Sequence, residues 1–151
     1  MRLSVIAVGR WRRDAPEAAL FADYAGRLPW SVELIEVAER RKLPLAELKA
    51  AEAALIEKRL PPRAVVVALD GSGKALSSEA LAKKLRTWVE AGEIACVIGG
   101  AEGLDRSILE RAETIWSLGP ATWPHMLVRP MLAEQMYRAH SILTGHPYHR
   151  G

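Results

Sequence analysis

Ala64-Val65-Val66-Val67-Ala68-Leu69 is an unbroken apolar run, and Ile94-Ala95-Cys96-Val97-Ile98 is a second. A strand with one wet face alternates apolar and polar residues. A continuous run instead marks a strand covered on both faces, the habit of parallel sheets. Each run ends in glycine-bearing sequence: Asp70-Gly71-Ser72-Gly73-Lys74 after the first, Gly99-Gly100-Ala101-Glu102-Gly103 after the second. Strand and helix patterns alternate from end to end. The expectation is a single α/β domain over residues 1–151, a largely parallel sheet with helices on both faces.

Working outward, residues 3–8 predict a first strand. Asp14 and Glu17 form a capping-box-like pair for the helix that follows, with Pro16 near its start. Residues 31–37 alternate as a second strand, and residues 45–60 form an Ala-, Leu-, Glu- and Lys-rich helix stopped by Pro61-Pro62. Residues 70–74 read as a turn. Ser77 or Ser78 caps the next helix, which ends near Gly92, and Asp105 caps a short helix running to about residue 113. Residues 114–118 give a fifth strand. The last helix is expected to start at Pro130, a good first-turn residue, and to stop before Gly145. Loops at the carboxyl ends of parallel strands are the default ligand site, which here means 70–74, 99–103 and 119–125.

Composition bounds the function. The 151 residues are half apolar and carry a net charge of +3, which favours an anionic partner without proving one. A single cysteine, Cys96, excludes an internal disulfide framework and fits a reducing compartment; inside its apolar run it reads as an inert buried thiol. No stretch approaches a membrane span. The first nine residues are too short an apolar segment for a signal peptide, and arginines follow at 10, 12 and 13, so a cytoplasmic protein is expected.

Several familiar chemistries fail on spacing. The 70–74 loop lacks four residues between glycine and Gly-Lys, and Ala75 stands where a phosphate loop has Ser or Thr. The 99–103 loop misses Gly-x-Gly-x-x-Gly, so a nicotinamide cofactor is not expected. Two adjacent glycines at a strand end still allow a ligand close to the backbone. The four histidines, His125, His140, His146 and His149, have no cysteine or carboxylate pair to complete a metal set. No Gly-x-Ser-x-Gly elbow is present. Arg10, Trp11, Arg12 and Arg13 combine basic and aromatic groups, a pattern that suits RNA but is common on solvated surfaces. The last-helix residues Leu132, Met136, Ala139 and Leu143 make an apolar stripe for core or subunit packing. Glu134 and Arg138 sit four apart in the favourable order, either as a surface pair or as a hold on the tail or on a phosphate. That tail, His146-Pro147-Tyr148-His149-Arg150, is unusually rich in functional groups for a terminus.

Leu69-Asp70, Ile98-Gly99-Gly100-x-Glu102-Gly103, Trp116-Ser117-Leu118, Pro124-His125-x-Leu127-Val128-Arg129, Glu134-Gln135-x-Tyr137-Arg138-Ala139 and His146-Pro147-Tyr148-His149 together resemble one family. It is the ribosomal RNA large subunit methyltransferase H family, SPOUT-class 23S rRNA pseudouridine-N3 methyltransferases. The likeness covers the whole chain in order. Ala101, Pro130 and Gly145 depart from the usual proline, aliphatic residue and asparagine, and none of these changes removes a functional group.

The resemblance implies a C-terminal trefoil knot, a homodimer, and S-adenosyl-L-methionine as methyl donor. By position it assigns Leu69, Gly99, Leu118, Gly119, Pro120, Ala121, Thr122 and Trp123 to the cofactor and makes ribosomal RNA or the assembled ribosome the partner. Tyr148, His149 and Arg150 are the catalytic candidates, for ordering the target base and stabilising its anion. They are expected to act on substrate and not on folding, and no metal is expected. The alternatives left open are a non-catalytic RNA-binding protein on the same fold and an α/β enzyme acting on a small anionic metabolite.

Overall fold

The computed structural model describes residues 1–151. Strands β1 (Arg2–Val8), β2 (Ser31–Val37), β3 (Val65–Ala75), β4 (Glu93–Ile98) and β5 (Thr114–Ser117) form one sheet in the order β2-β1-β4-β3-β5. Every neighbouring pair is parallel. The helices are α1 (Pro16–Arg27), α2 (Leu45–Glu57), α3 (Ser78–Glu90), α4 (Arg106–Arg111) and α5 (His125–Thr144).

The two-residue period of the central strands divides the core. Leu3, Val5, Ala7, Ile94, Cys96 and Ile98 face α1, α3 and α5, whereas Ile6, Val8, Ala95 and Val97 face α2 and α4. Burying each large aliphatic side chain stabilises the fold by about 1.5–3 kcal/mol, so these faces fix the register. The α5 stripe resolves in favour of the core. Leu132, Met136 and Ala139 are completely buried against the chain's own sheet and helices.

Topology opens the site. The chain leaves β3 into α3 on one face and leaves β4 into α4 on the other. Adjacent strands whose connections part to opposite faces leave a crevice at their carboxyl ends.

Ser77 caps α3 by accepting from the Ala80 amide at 3.1 Å, and Asp105 caps α4 by accepting from the Ser107 amide at 3.1 Å. Four expectations change. Asp14 does not cap α1; its carboxylate takes the Arg12 guanidinium at 3.1 Å, and Pro16 opens the helix without a side-chain cap. Helix α2 ends at Glu57, three residues short of the expected end. The 70–74 segment is part of β3 and not a turn between elements. Leu69 and Lys74 both pair with Trp116, so residues 70–73 bulge outward before the strand resumes. Helix α5 starts at His125, which leaves Pro130 inside it.

Candidate active site

A cavity of about 300 Å³ lies at the β3 bulge and the ends of β4 and β5. Leu69, Asp70 and Gly71 come from β3; Ile98, Gly99, Gly100, Ala101 and Gly103 come from the end of β4 and its loop. The segment after β5 supplies Leu118, Gly119, Pro120, Ala121, Thr122 and Trp123, and α5 adds His125 and Val128. All eight positions assigned to the cofactor by resemblance therefore line one cavity. Its walls are mostly aliphatic side chains and main chain, a lining suited to a neutral flat purine enclosed by backbone groups.

Each wall is locally determined. The Asp70 carboxylate accepts the Ser72 amide at 3.0 Å and hydroxyl at 2.7 Å, and the Leu104 amide at 3.4 Å, tying the β3 bulge to the loop after β4. Partial burial opposes its ionisation, but these hydrogen bonds and the Lys49 charge outweigh burial and hold it below the usual carboxylate range. After β5, Ser117 exchanges hydrogen bonds with the Gly119 amide and carbonyl at 3.2 Å, while Gly119 takes φ +101°. The Trp123 indole donates to the Leu118 carbonyl at 3.3 Å, closing the loop on itself.

Gly99 has a different reason from the one expected. A Cβ there would lie 2.8 Å from the Gly103 carbonyl carbon and 3.1 Å from the Leu104 side chain. The residue is glycine because the protein's own backbone crosses it, whatever else approaches from the cavity.

Sequence reading missed Arg129. Its side chain is completely buried, yet it carries a guanidinium. One terminal nitrogen donates to Glu36 at 2.7 Å; the other donates to the carbonyls of Gly9 at 2.9 Å and Val8 at 3.3 Å. The Trp11 ring covers the group at 4.6 Å, and the Trp11 amide donates to the same Glu36 oxygen at 3.0 Å. The signal available was position. Arg129 falls three residues before Leu132 and seven before Met136, on the apolar stripe itself. Beside it, burial and the Arg129 charge hold His125 below its ordinary value, favouring neutral imidazole in the cavity wall.

The tail is docked, and it does not line that cavity. The Tyr148 hydroxyl donates to Glu134 at 3.0 Å and lies 3.4 Å from the Tyr24 hydroxyl. Its ring packs on Tyr137 at 4.6 Å and on the Arg138 guanidinium at 4.8 Å. His149 lies 3.2 Å from Glu79 and 3.4 Å from Arg138, whereas Arg150 is exposed. Burial, together with hydrogen bonds to Tyr24 and Glu134, pushes the Tyr148 phenol well above its ordinary range, so its hydroxyl stays protonated. Tyr24 and Glu134 also line a second cavity of about 460 Å³, whose opposite wall is Trp116, Ser117, Leu118 and Gly119. Those four residues line both cavities, so the two adjoin there. The tail thus touches, through Tyr148, two residues of the cavity that adjoins the one the cofactor positions line.

A parallel sheet with one backbone-walled cavity across three neighbouring strands places the molecule among the α/β folds that take a ligand at their strand ends. The chain belongs to the SPOUT methyltransferase family: residues 1–149 match the family described as "Predicted SPOUT methyltransferase". It is similar to proteins named ribosomal RNA large subunit methyltransferase H. The one from Rhodospirillum rubrum is 55% identical over 152 residues, and that from Rhodospirillum centenum 52% over 152, each alignment covering 99% of both chains. The one from Ruegeria pomeroyi is 45% identical over 156 residues, again with 99% of both covered.

Proposed function

We propose that this chain transfers a methyl group from S-adenosyl-L-methionine to N3 of a pseudouridine in large-subunit (23S) ribosomal RNA. The observation that carries the reading is the convergence of Leu69, Gly99 and the six residues 118–123 on one cavity, in a chain whose full length matches relatives of that name. The trefoil knot, the homodimer and a cytoplasmic location belong to the same reading. The half-exposed Leu20 beside the partly buried Met131, at the rim of the larger cavity, supports pairing through the α1–α5 face. No helix is long and apolar enough to cross a membrane.

The residues present fit the cofactor. Leu69, Ile98, Leu118 and Val128 supply flat apolar contact, and the main chain at 99–103 and 117–123 supplies donors and acceptors for a purine edge. When bound, the cofactor supplies an electrophilic methyl on a cationic sulfur. The protein's task is then mostly positioning. As the pseudouridine N3 takes the methyl, its imide proton passes to solvent water, so donors aimed at the flanking carbonyls stabilise the developing anion. Exposed Arg150 is suited to donate, and so is Tyr148 once its one proton turns from Glu134 to the substrate, while His149 holds the tail against Glu79 and Arg138.

The test uses ribosomes lacking the modification and cofactor labelled in its methyl group. Transfer to large-subunit RNA, with the label recovered as N3-methylpseudouridine, is the expected result. RNA binding without transfer would replace this reading with the non-catalytic one. Label in any other nucleoside would overturn the assignment of the target.

A further inference from the structure

The loops that follow β1 and β2 lie side by side, because the Gly9 amide donates to the Val37 carbonyl at 2.8 Å. Between them they carry six cations at positions 10, 12, 13, 40, 41 and 42, all exposed. Two are spoken for: Arg12 by Asp14 at 3.1 Å and Arg41 by Glu39 at 3.0 Å. Arg10, Arg13, Arg40 and Lys42 have no carboxylate partner. Unpaired cations gathered at one corner of a sheet attract polyanions, and a pI near 9.2 suits the whole chain to such a partner.

The corner adjoins the cofactor cavity and is held rigidly to it. A Cβ on Gly100, which lines the cavity, would stand 3.3 Å from Val8, and one on Gly9 would stand 3.4 Å from the His125 ring. Buried Arg129 grips the Val8 and Gly9 carbonyls and, through Glu36, the Trp11 amide. Trp11 is therefore no free stacking platform for a base, since its ring packs on Arg129 and on Phe21 at 5.8 Å. Its role is to hold the backbone from which Arg10 and Arg13 project.

We infer that Arg10, Arg13, Arg40 and Lys42 form a phosphate-gripping strip for the RNA strand that flanks the methylated nucleotide. The strip grips backbone and reads no bases, so it sets register and affinity while the cavity sets chemistry. The inference rests on the RNA substrate proposed above.

The test compares the parental protein with the quadruple variant Arg10→Gln, Arg13→Gln, Arg40→Gln, Lys42→Gln. Transfer to undermodified ribosomes is followed at increasing salt, and cofactor affinity is measured by calorimetry. Lys83→Gln with Arg86→Gln, on the exposed face of α3, removes charge elsewhere as a control. Each phosphate contact to a single strand contributes about 0.7 to the salt slope, so from 50 to 200 mM the variant's KM should rise roughly fifty-fold less than the parental one. Its kcat and cofactor affinity should match the parental values, and the control should keep the parental slope. A parental slope in the quadruple variant overturns the strip and leaves the enzyme reading standing. A loss of cofactor affinity overturns it too, because the effect would then run through the cavity. A parental protein inactive on ribosomal RNA removes the enzyme reading first, and the strip with it.

Discussion

A guanidinium taken wholly out of water loses several kcal/mol of hydration, which only a near partner and further acceptors can offset. Arg129 has Glu36 and two carbonyls, but its Nε has no hydrogen-bond partner. Arg129→Gln should lower stability by about 2–3 kcal/mol in urea titration, less than for a sealed pair because the Glu36 side chain keeps 22% of its exposure. Parental stability in that variant would show the clamp to be energetically idle. Its neighbour His125 titrates below its ordinary value through burial and the Arg129 charge, and His140 does so through burial and His146. With both folded values depressed, the unfolded chain protonates first as pH falls. The stabilisation from these neutral rings is complete above about pH 6.5 and lost as pH drops toward the folded values. His125→Gln with His140→Gln should flatten the rise in unfolding free energy from about pH 5 to 7. An unchanged slope would refute the assignment.

Helix α5 shows where sequence rules compete. Pro124 and Pro130 both resemble helix openers, and the last helix was expected to begin at the second. The structure begins it at His125, with the Leu127 and Val128 amides donating to the Pro124 carbonyl. Burying Val128, Arg129 and the stripe below them outweighs the hydrogen bond that proline removes from the sixth position. Pro130→Ala should restore that bond. Helix-interior proline costs about 3 kcal/mol relative to alanine, and lost packing returns part of the gain, so stability should rise by about 1–2 kcal/mol in a thermal melt. A fall would show that the ring's packing dominates. The β3 bulge was illegible for a related reason. Turn chemistry at 70–74 is local, whereas resumption of pairing at Lys74 depends on β5, some forty residues away. Gly73 permits it, since a Cβ there would stand 2.4 Å from the Ile115 carbonyl oxygen. By contrast the Ser77 and Asp105 caps, and the doubly covered first half of β3, follow from residues within a few positions of one another. Those were readable.

At the scale of the whole molecule, the place of the cavity was legible because ligand sites at strand ends in a parallel sheet are a topological rule, although the first of its three walls is a bulge within β3 and not a loop. The tail's docking was not, because nothing local connects Tyr148 to Tyr24 across the chain. The sequence leads one to expect residues 146–150 to act on substrate and not on folding, with Arg138 open as a hold on the tail, and Arg138 does touch Tyr148 and His149. The structure ties Tyr148 to Glu134 and packs it on Tyr137 and Arg138, which themselves belong to α5. Deleting residues 148–151 should therefore carry a structural cost as well as a chemical one. One charge-assisted hydrogen bond and one aromatic contact together are worth about 2–3 kcal/mol. At about 2–4 °C per kcal/mol for a chain of this size, the melting temperature should fall by roughly 4–12 °C. No tail residue lines the cofactor cavity, so cofactor affinity in calorimetry should stay near parental. Methyl transfer should fall about a hundredfold or more, as expected when a donor to a developing anion is lost. Tyr148→Phe separates the two effects: it keeps the ring on Tyr137, removes the donor, and should lose rate out of proportion to stability. Parental rates in the truncated chain would remove the tail from the chemistry, and equal proportional losses in both variants would make it a strut.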